Sequence, residues 1–300
     1  SANGLAMWLT SRRPVVSKVM RSSTSSIANR RFQRGMTSEM QLACGWRARA
    51  VAAVLVVLPL AVRAASLADT VAKIKTGVVA VGTVQPARQP SAQFLATGFV
   101  VAQGSHVITN AHGLPDLLDP QGKETLAIFI GRGKQIESRP ASKVAIDPVH
   151  DLALLKFEGA PLPPLRLGGS KPVREGQEVA FTGFPLGVVL GLFPVTHTGI
   201  IAAISPIAIP AGEAAQLDGA TLKRLRQEPY EVFQLDATAY PGNSGSPLYE
   251  PANGSVIGVI NKVFVQQSKE AVLDRPSGIS YAIPIRYAQE LLKRAGAPGK

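Results

Sequence analysis

The sequence predicts an all-β fold of two antiparallel barrels packed together. Glycine and proline number 28 and 23 among the 300 residues, a content that favours short strands and many turns over long helices. Two series of short β-type segments follow one another along the chain, and a Pro- and Gly-rich stretch at 158–172 separates them. The number of strands alone is equally compatible with a β-sandwich.

Residues 1–65 are excluded from this fold because their composition is that of a leader. They carry ten Lys or Arg residues and a single acid, Glu39, whereas residues 66–300 carry 22 basic and 19 acidic residues. The net charge of +12 therefore belongs mainly to the leader. The near balance of charge in the remainder argues against a nucleic-acid-binding surface, so we expect no nucleic-acid partner.

A secretory signal peptide is predicted at the end of this leader. Arg47 and Arg49 precede an apolar run, Ala50 to Val62, and small residues follow it, so cleavage is expected after about Ala64 or Ala65. The run is shorter than the ~20 residues that a spanning helix needs, which disfavours the alternative of a membrane anchor.

Residues 1–35 are rich in Arg and Ser and contain no acid. This composition resembles a mitochondrial transit peptide, but we favour an over-extended start upstream of Met36. Cys44 is the only cysteine, so residues 66–300 predict no disulfide, no thiol nucleophile and no Cys-based metal site. An exported chain without disulfides is compatible with the bacterial periplasm, and we expect a periplasmic or secreted protein without a stable membrane anchor.

The first half of the remaining chain predicts one amphipathic helix and six strands. The helix lies in "SLADTVAKIKTG" at 66–77. The strands are apolar segments that alternate with polar residues or contain many β-branched residues, bounded by turn residues. These segments are 78–84, 93–102, 106–110, 125–130, 142–147 and 152–157.

The second half predicts further strands and a C-terminal helix in "IRYAQELLKRAG". The strand segments are 177–184, 193–205, 230–236, 255–265 and 278–284. Residues 205–229 form a long irregular connection whose basic cluster, Lys223, Arg224 and Arg226, is most simply a solvated helical face. We therefore divide the chain into an N-terminal β-barrel at 66–165 and a C-terminal β-barrel with the terminal helix at 166–300, together one domain.

The stretch "YPGNSGSPLYE" at 240–250 predicts a tight turn around Ser244. Glycine and proline interrupt helices and strands, so we expect no regular structure in this stretch. Such a turn can direct one hydroxyl outward and leave backbone N–H groups free around it. A nucleophilic serine needs this arrangement, provided that a base and an orienting acid are supplied elsewhere.

His112 is the candidate base among the four histidines. "HVITNAHG" runs an apolar strand into His112, which places the imidazole where a strand ends. His106 begins a strand and His197 lies within one, so both are most simply surface or packing residues. His150 adjoins Asp151, and neighbours on an extended chain point to opposite faces, which makes them a poor pair.

Asp147 and Asp151 are both candidates for the acid, in "IDPVHDLALLKF". Asp151 directly precedes an apolar strand that would anchor it firmly. A partly buried carboxylate at that point would orient an imidazole and stabilise its cation. A strand-start Asp also commonly satisfies local N–H groups without any catalytic role.

These motifs resemble those of the chymotrypsin-fold serine proteases. "TNAHG", "DLALLK" and "PGNSGSPL" occur in the order His, Asp, Ser. "GFPLGVVLGLFPVTHTGIIAAIS", "GSVIGVINKVF" and "GISYAIP" are similar to the protease domain of the high-temperature-requirement (HtrA-type) family. The resemblance covers residues 66–295 and implies a chymotrypsin-like fold of two six-stranded antiparallel barrels, with the active site in the cleft between them.

The resemblance also implies a role for each site residue. Ser244 would be the nucleophile, His112 the general base and Asp151 its orienting acid. The N–H groups of Gly242 and Ser244 would form the oxyanion hole, and Gly245 would keep the space beside the hydroxyl open.

Substrate binding is expected at Thr238 and Asn261. Thr238 lies six residues before the nucleophile and is neutral, and the strand that carries Asn261 is mostly aliphatic. A carboxylate at the base of the pocket would be needed for cleavage after Lys or Arg. We therefore predict small to medium apolar P1 residues.

The sequence also departs from the family pattern. Asn243 is neutral where zymogen-activated relatives of the fold have an Asp, so we expect no activation switch of that kind. Ser246 replaces a glycine and would strain the backbone if that position required a positive φ. We expect no PDZ domain, because the sequence ends at Lys300.

We expect a serine endopeptidase that hydrolyses peptide bonds through an acyl-enzyme intermediate, in protein quality control or turnover. Protein or peptide substrates are the expected partners, and the oligomeric state is not predicted. No cofactor or metal is expected, because the sequence has no phosphate-type glycine loop and no His/carboxylate cluster with ligand spacing. Two alternatives stay open: a non-catalytic binding or holdase module with a latent site, and a serine esterase.

Overall fold

The computed structural model describes residues 66–132, 135–169, 171–185, 192–207, 229–261 and 279–297. The predicted leader at 1–65 lies outside the described residues, as do 208–228 of the long connection and its basic cluster. Among the residues that are described, neither helix is long and apolar enough to cross a membrane.

The described chain contains twelve strands, two α-helices and one 3-10 turn. The helices are α1 (Leu67–Ile74) and α2 (Ile285–Arg294), and the 3-10 turn is Ala102–Gly104. The first six strands are β1 (Val78–Val84), β2 (Ala92–Val101), β3 (His106–Asn110), β4 (Thr125–Arg132), β5 (Gln135–Asp147) and β6 (Leu152–Phe157). The other six are β7 (Glu178–Gly183), β8 (Val195–Pro206), β9 (Glu231–Asp236), β10 (Pro247–Tyr249), β11 (Val256–Asn261) and β12 (Ile279–Pro284).

The strands close into two antiparallel six-stranded barrels. The first has the order β1-β2-β3-β6-β5-β4 and the second the order β10-β11-β12-β9-β8-β7. This arrangement confirms the predicted all-β double barrel with a C-terminal helix. A closed barrel leaves no unpaired edge strand, which is why short alternating strands can form a stable fold.

Each barrel encloses its own apolar core. Val81, Val107 and Leu155 are fully buried in the first barrel, and Phe181 and Leu235 in the second. Burying one such side chain stabilises the fold by roughly 1.5–3 kcal/mol. The strands β1 and β6 are buried almost throughout, because successive side chains point alternately into the barrel and against a further core on its outer face.

A third core joins the barrels to the helices. It contains Ile74 of α1, Phe99 and Leu154 of the first barrel, Tyr249 of the second, and Leu291 of α2. The C-terminal helix therefore packs on both barrels instead of extending only the second.

The Pro- and Gly-rich stretch at 158–172 is bound to both barrels. Leu165 N donates to Val100 O at 2.9 Å, and Gly168 N donates to Val256 O at 2.6 Å. Proline has no backbone N–H to donate, so this segment can bond to the barrels only through the N–H groups of its other residues. This segment thus connects the two halves, as its composition predicted.

The expectation that 240–250 has no regular structure is wrong for β10. Leu248 pairs with Phe181 of β7 and with Gly258 of β11, and the strand is fully buried. Pro247 is tolerated because it is the first residue of the strand, where a missing N–H costs least. Three residues between turn-forming neighbours carry too little periodicity to be recognised in the sequence.

Candidate active site

Strand ends place the predicted base and acid next to each other. His112 follows β3 by two residues, Asp151 immediately precedes β6, and these strands are neighbours with Asn110 opposite Leu152. The pairing of an apolar strand end with an apolar strand start therefore brings the imidazole and the carboxylate to the same rim of the first barrel.

The contact between His112 and Asp151 involves both carboxylate oxygens. His112 Nδ1 lies 2.5 Å from Asp151 Oδ2, and His112 N donates to Oδ1 at 2.8 Å. A carboxylate at Nδ1 selects the tautomer that has its proton on that nitrogen, so Nε2 is left to accept a proton. The His112 side chain is 37% exposed, which leaves Nε2 accessible to a reacting group.

Asp151 is held in a left-handed backbone conformation, with φ at +50°. For a residue other than glycine this conformation costs on the order of 1–3 kcal/mol, which neighbouring contacts must offset. Asn110 Nδ2 and Ala111 N both donate to Asp151 O, at 2.9 and 3.1 Å. Asp is among the few side chains that tolerate this region, and the strain aims its carboxylate back at His112.

The second barrel also binds the carboxylate. Asn261, the last residue of β11, donates from Nδ2 to Asp151 Oδ2 at 2.9 Å. The Asn261 side chain is almost fully buried, and it contacts the carboxylate of Asp151. The predicted role of Asn261 in substrate binding stays a prediction.

The turn that presents Ser244 is fixed by its own backbone. Asn243 N donates to Tyr240 O, and Ser246 N donates to Asn243 O, both at 3.0 Å. Gly242 has φ +96° and Gly245 has φ +85°, conformations that favour glycine at both positions.

Two amides of this turn make no hydrogen bond within the described part of the chain: Gly242 N and Ser244 N. Because N–H and C=O point in opposite directions across a trans peptide, binding of Asn243 O to Ser246 N directs Ser244 N–H the other way. Unpaired amides that face a developing negative charge are what an oxyanion hole requires.

Ser244 reaches the first barrel through its backbone. Thr97 N, on β2, donates to Ser244 O at 2.9 Å. Among the described contacts no hydrogen bond joins Ser244 Oγ to His112, although hydrogen bonds connect His112, Asp151 and Asn261 in series. Bonds of this kind are often long before substrate binds.

Thr238 lies half-buried between β9 and the nucleophile turn. Ser280 of β12 bonds to both of its neighbours: its hydroxyl donates to Ala237 O at 2.7 Å and accepts from Ala239 N at 2.8 Å. The segment around Thr238 is therefore rigidly held, and its contact with substrate stays a prediction.

Packing against β2 requires a glycine at position 245, in addition to the predicted need for open space beside the Ser244 hydroxyl. A Cβ at this position would lie 2.0 Å from Thr97 O, so β2 approaches the turn too closely for any side chain. Ser246 does not adopt a positive φ, so the backbone strain considered for this position is absent. Its buried hydroxyl, which has no partner among the described residues, occupies the space left by Gly183, where a Cβ would lie 2.0 Å from Ser246 Oγ.

The turn that leads into Asp151 is stabilised by the other candidate acid. Asp147 accepts hydrogen bonds from His150 Nδ1 at 2.9 Å and from Arg294 of α2 at 2.5 Å. Burial alone would raise the pKa of Asp147, but the hydrogen bonds and charge of His150, together with the hydrogen bond from Arg294, outweigh it and hold this pKa well below its ordinary value. Asp147 is thus a structural carboxylate, and His150 pairs with it instead of with Asp151.

Aromatic rings complete this turn. The His150 ring stacks on Tyr287 of α2, with centroids 3.8 Å apart, and meets the edge of Tyr230 at 4.6 Å. Burial raises the pKa of Tyr230, and the nearby charge of Asp151 raises it further, so this phenol stays neutral beside the acid. This cluster could not be predicted from the sequence, because its members lie far apart along the chain.

Comparison with known proteins identifies the family. A family model described as a trypsin-like peptidase domain matches residues 96–259. A probable periplasmic serine endoprotease DegP-like from Pseudomonas fluorescens is 32% identical over 71% of this chain and 37% of its own length. The putative serine protease HhoB from Synechocystis is 30% identical over 72% of this chain and 43% of its own length. The chain thus spans about two fifths of the length of these relatives.

Proposed function

The chain belongs to the trypsin-like peptidase family, and on that premise we propose that it is a serine endopeptidase with Ser244, His112 and Asp151 as its catalytic residues. The observation that carries this proposal is the pairing of His112 Nδ1 with Asp151 at 2.5 Å. Asn261 binds the same carboxylate, and its neighbour Ile260 bonds to Gly245 and Ser246 of the nucleophile turn. A carboxylate-bound imidazole with a free Nε2 is the base that a serine hydroxyl requires.

In the proposed reaction, Ser244 Oγ attacks the carbonyl carbon of the scissile peptide bond while His112 Nε2 takes the hydroxyl proton. The carbonyl π electrons move to oxygen, and the N–H groups of Gly242 and Ser244 bind the resulting oxyanion. His112 then gives its proton to the leaving amine as the C–N bond breaks, which leaves an ester on Ser244. Water then attacks the ester carbonyl carbon while His112 Nε2 takes its proton. His112 returns that proton to Ser244 Oγ as the bond between Oγ and the acyl carbon breaks, which releases the carboxylic acid and restores the serine.

The proposed substrates are proteins or peptides with small to medium apolar P1 residues. Thr238 is neutral and lies six residues before the nucleophile, where a carboxylate would be needed to bind a basic side chain. Two relatives carry the words "serine endoprotease" or "serine protease" in their names, and one is described as periplasmic. We extend both descriptions to this chain: a periplasmic or secreted endopeptidase of protein quality control.

A fluorophosphonate probe tests the nucleophile. We expect the purified full chain to be labelled between about pH 6 and 9, where an imidazole with an ordinary pKa of ~6.5 can act as base. Ser244→Ala should abolish labelling, and Ser105→Ala, at a half-buried serine of the first barrel, is the matched control that should keep it.

Casein then separates the possible hydrolases. Cleavage of casein supports an endopeptidase, whereas turnover of simple esters without any casein cleavage would replace the proposal with an esterase. No labelling at any of these pH values, by a protein that is folded by circular dichroism, would favour the non-catalytic binding module.

A further inference from the structure

We propose that Thr97 is a positioning residue for the oxyanion hole, through which the first barrel sets the conformation of the turn that carries Ser244. This inference rests on the proposed function. Thr97 lies on β2 and is fully buried, so it cannot contact substrate itself.

The polar groups of Thr97 make four hydrogen bonds, three of them to residues of the second barrel. Its hydroxyl donates to Gly242 O at 2.7 Å and accepts from Phe184 N at 3.0 Å. Its amide donates to Ser244 O at 2.9 Å, and its carbonyl accepts from Thr109 Oγ1 at 2.7 Å. One residue of the first barrel thus binds the carbonyls on both sides of Asn243.

These bonds determine where Ser244 N–H points. The Gly242 carbonyl belongs to the peptide plane before Asn243, and the Ser244 carbonyl belongs to the plane after Ser244. The plane between them carries Ser244 N–H, and its own carbonyl is held by Ser246 N at 3.0 Å. Because peptide units are rigid planes, fixing the two outer planes leaves the middle one little freedom to rotate.

The hydroxyl bond matters most at Gly242. Glycine populates positive and negative φ about equally, so Gly242 can rotate at little intrinsic cost. Its φ of +96° orients the N–H that would bind the oxyanion. The bond from Thr97 Oγ1 to Gly242 O therefore selects one of several conformations that the glycine could otherwise adopt.

The test compares Thr97→Val, which has nearly the same shape but no hydroxyl, with Thr97→Ser, which keeps the hydroxyl. Thr83→Val is the matched control, because Thr83 is also buried in the first barrel and its hydroxyl bonds to Glu124, away from the site. Losing an oxyanion donor outright typically lowers kcat by about 10²–10³-fold. We expect Thr97→Val to lower kcat about 10- to 100-fold with KM changed by less than about twofold, and Thr97→Ser and Thr83→Val to stay near wild type.

A peptide boronate distinguishes positioning from general loss of structure, since its tetrahedral adduct places an oxygen in the oxyanion hole. Thr97→Val should weaken boronate binding by the same factor as kcat, while binding of the corresponding cleaved peptide is unchanged. Wild-type kcat and boronate affinity in Thr97→Val, or equal losses in Thr97→Val and Thr97→Ser, would overturn the proposal.

Crystal structures separate this proposal from the proposed function. In Thr97→Val we expect the Gly242–Asn243 peptide to be rotated relative to wild type, a readout that needs no activity. An unrotated peptide refutes the role of Thr97 even if the protein is a peptidase, whereas an inactive, unlabelled wild type refutes the function alone. If Thr97→Val does not fold, a wild-type boronate complex in which Thr97 Oγ1 has left Gly242 O would refute the role.

Discussion

Asn261 and His112 bind the same oxygen of Asp151, one from each barrel. Asn261 Nδ2 lies 2.9 Å and His112 Nδ1 2.5 Å from Asp151 Oδ2. The acid therefore lies at the junction of the barrels, and its orientation depends on both.

Asn261→Ala should lower kcat about tenfold, because a hydrogen bond to a charged group is worth about 1.5–3 kcal/mol and part of it orients the imidazole. A higher KM in the same variant would in addition support the predicted role of Asn261 in substrate binding. Steady-state kinetics on a peptide substrate measures both constants. Asn253→Ala, at an exposed residue of the β10–β11 turn, is the control, and an unchanged kcat in Asn261→Ala would contradict the role of this bond.

Gly183→Ala should destabilise the fold and lower activity, because the new methyl group would lie 2.0 Å from Ser246 Oγ. Ser246→Gly removes that oxygen, and alone it should change the free energy of unfolding by less than about 1 kcal/mol, since it also removes a buried unpaired hydroxyl. Urea unfolding of both single variants and the double variant should show Ser246→Gly recovering part of the loss. If the changes in the free energy of unfolding were strictly additive, positions 183 and 246 would be energetically independent, which would contradict the predicted steric contact.

Gly245→Ala should abolish activity and destabilise the fold by several kcal/mol, because it adds a collision with Thr97 O to the strain of φ +85°. Gly176→Ala is a matched control: its φ is +77°, but no atom lies within 4 Å of the new Cβ. Strain alone should cost that variant about 1 kcal/mol. Equal urea midpoints for the two variants would show that the close approach of β2 is not what requires a glycine at position 245.

Acid should destabilise the fold through Asp147. Its pKa is lowered in the folded state from an ordinary value of 3.8, so the unfolded chain takes up the proton first as the pH falls. The stabilisation is therefore complete above about pH 5 and is lost as the pH falls below 3.8 toward the lower folded value. Urea unfolding at pH 7, 4 and 3 should show a smaller pH-dependent loss for Asp147→Asn than for wild type. Asp116→Asn, at an exposed site, should follow wild type, and identical profiles for all three proteins would contradict this linkage.

The sequence allowed much of this fold to be predicted where periodicity was strong. The predicted segments for β1, β3 and β6 coincide with the observed strands, because each is rich in apolar or β-branched residues and has turn residues nearby on both sides. The strand β5 begins seven residues earlier than predicted, since its first part is mostly exposed and lacks an apolar face. Local pattern detects burial, and it fails where a strand is very short or solvated.

For the candidate site, too, local sequence patterns revealed some residues and not others. His112 and Asp151 could be named as candidates from the ends of β3 and β6, since strand ends are visible in the sequence, and their pairing was implied by the resemblance to chymotrypsin-fold proteases. Thr97 and Asn261 could not, because their contacts with Gly242 and Asp151 join residues 145 and 110 positions apart and depend on the packing of one barrel on the other.

The aromatic stack of His150 on Tyr287 has a consequence for the order in which the chain is made. Two of the side chains that hold the turn before Asp151, Tyr287 and Arg294, belong to the C-terminal helix. A ribosome completes both barrels before it reaches these residues. The scaffold of the acid is thus completed only after both barrels have been synthesised.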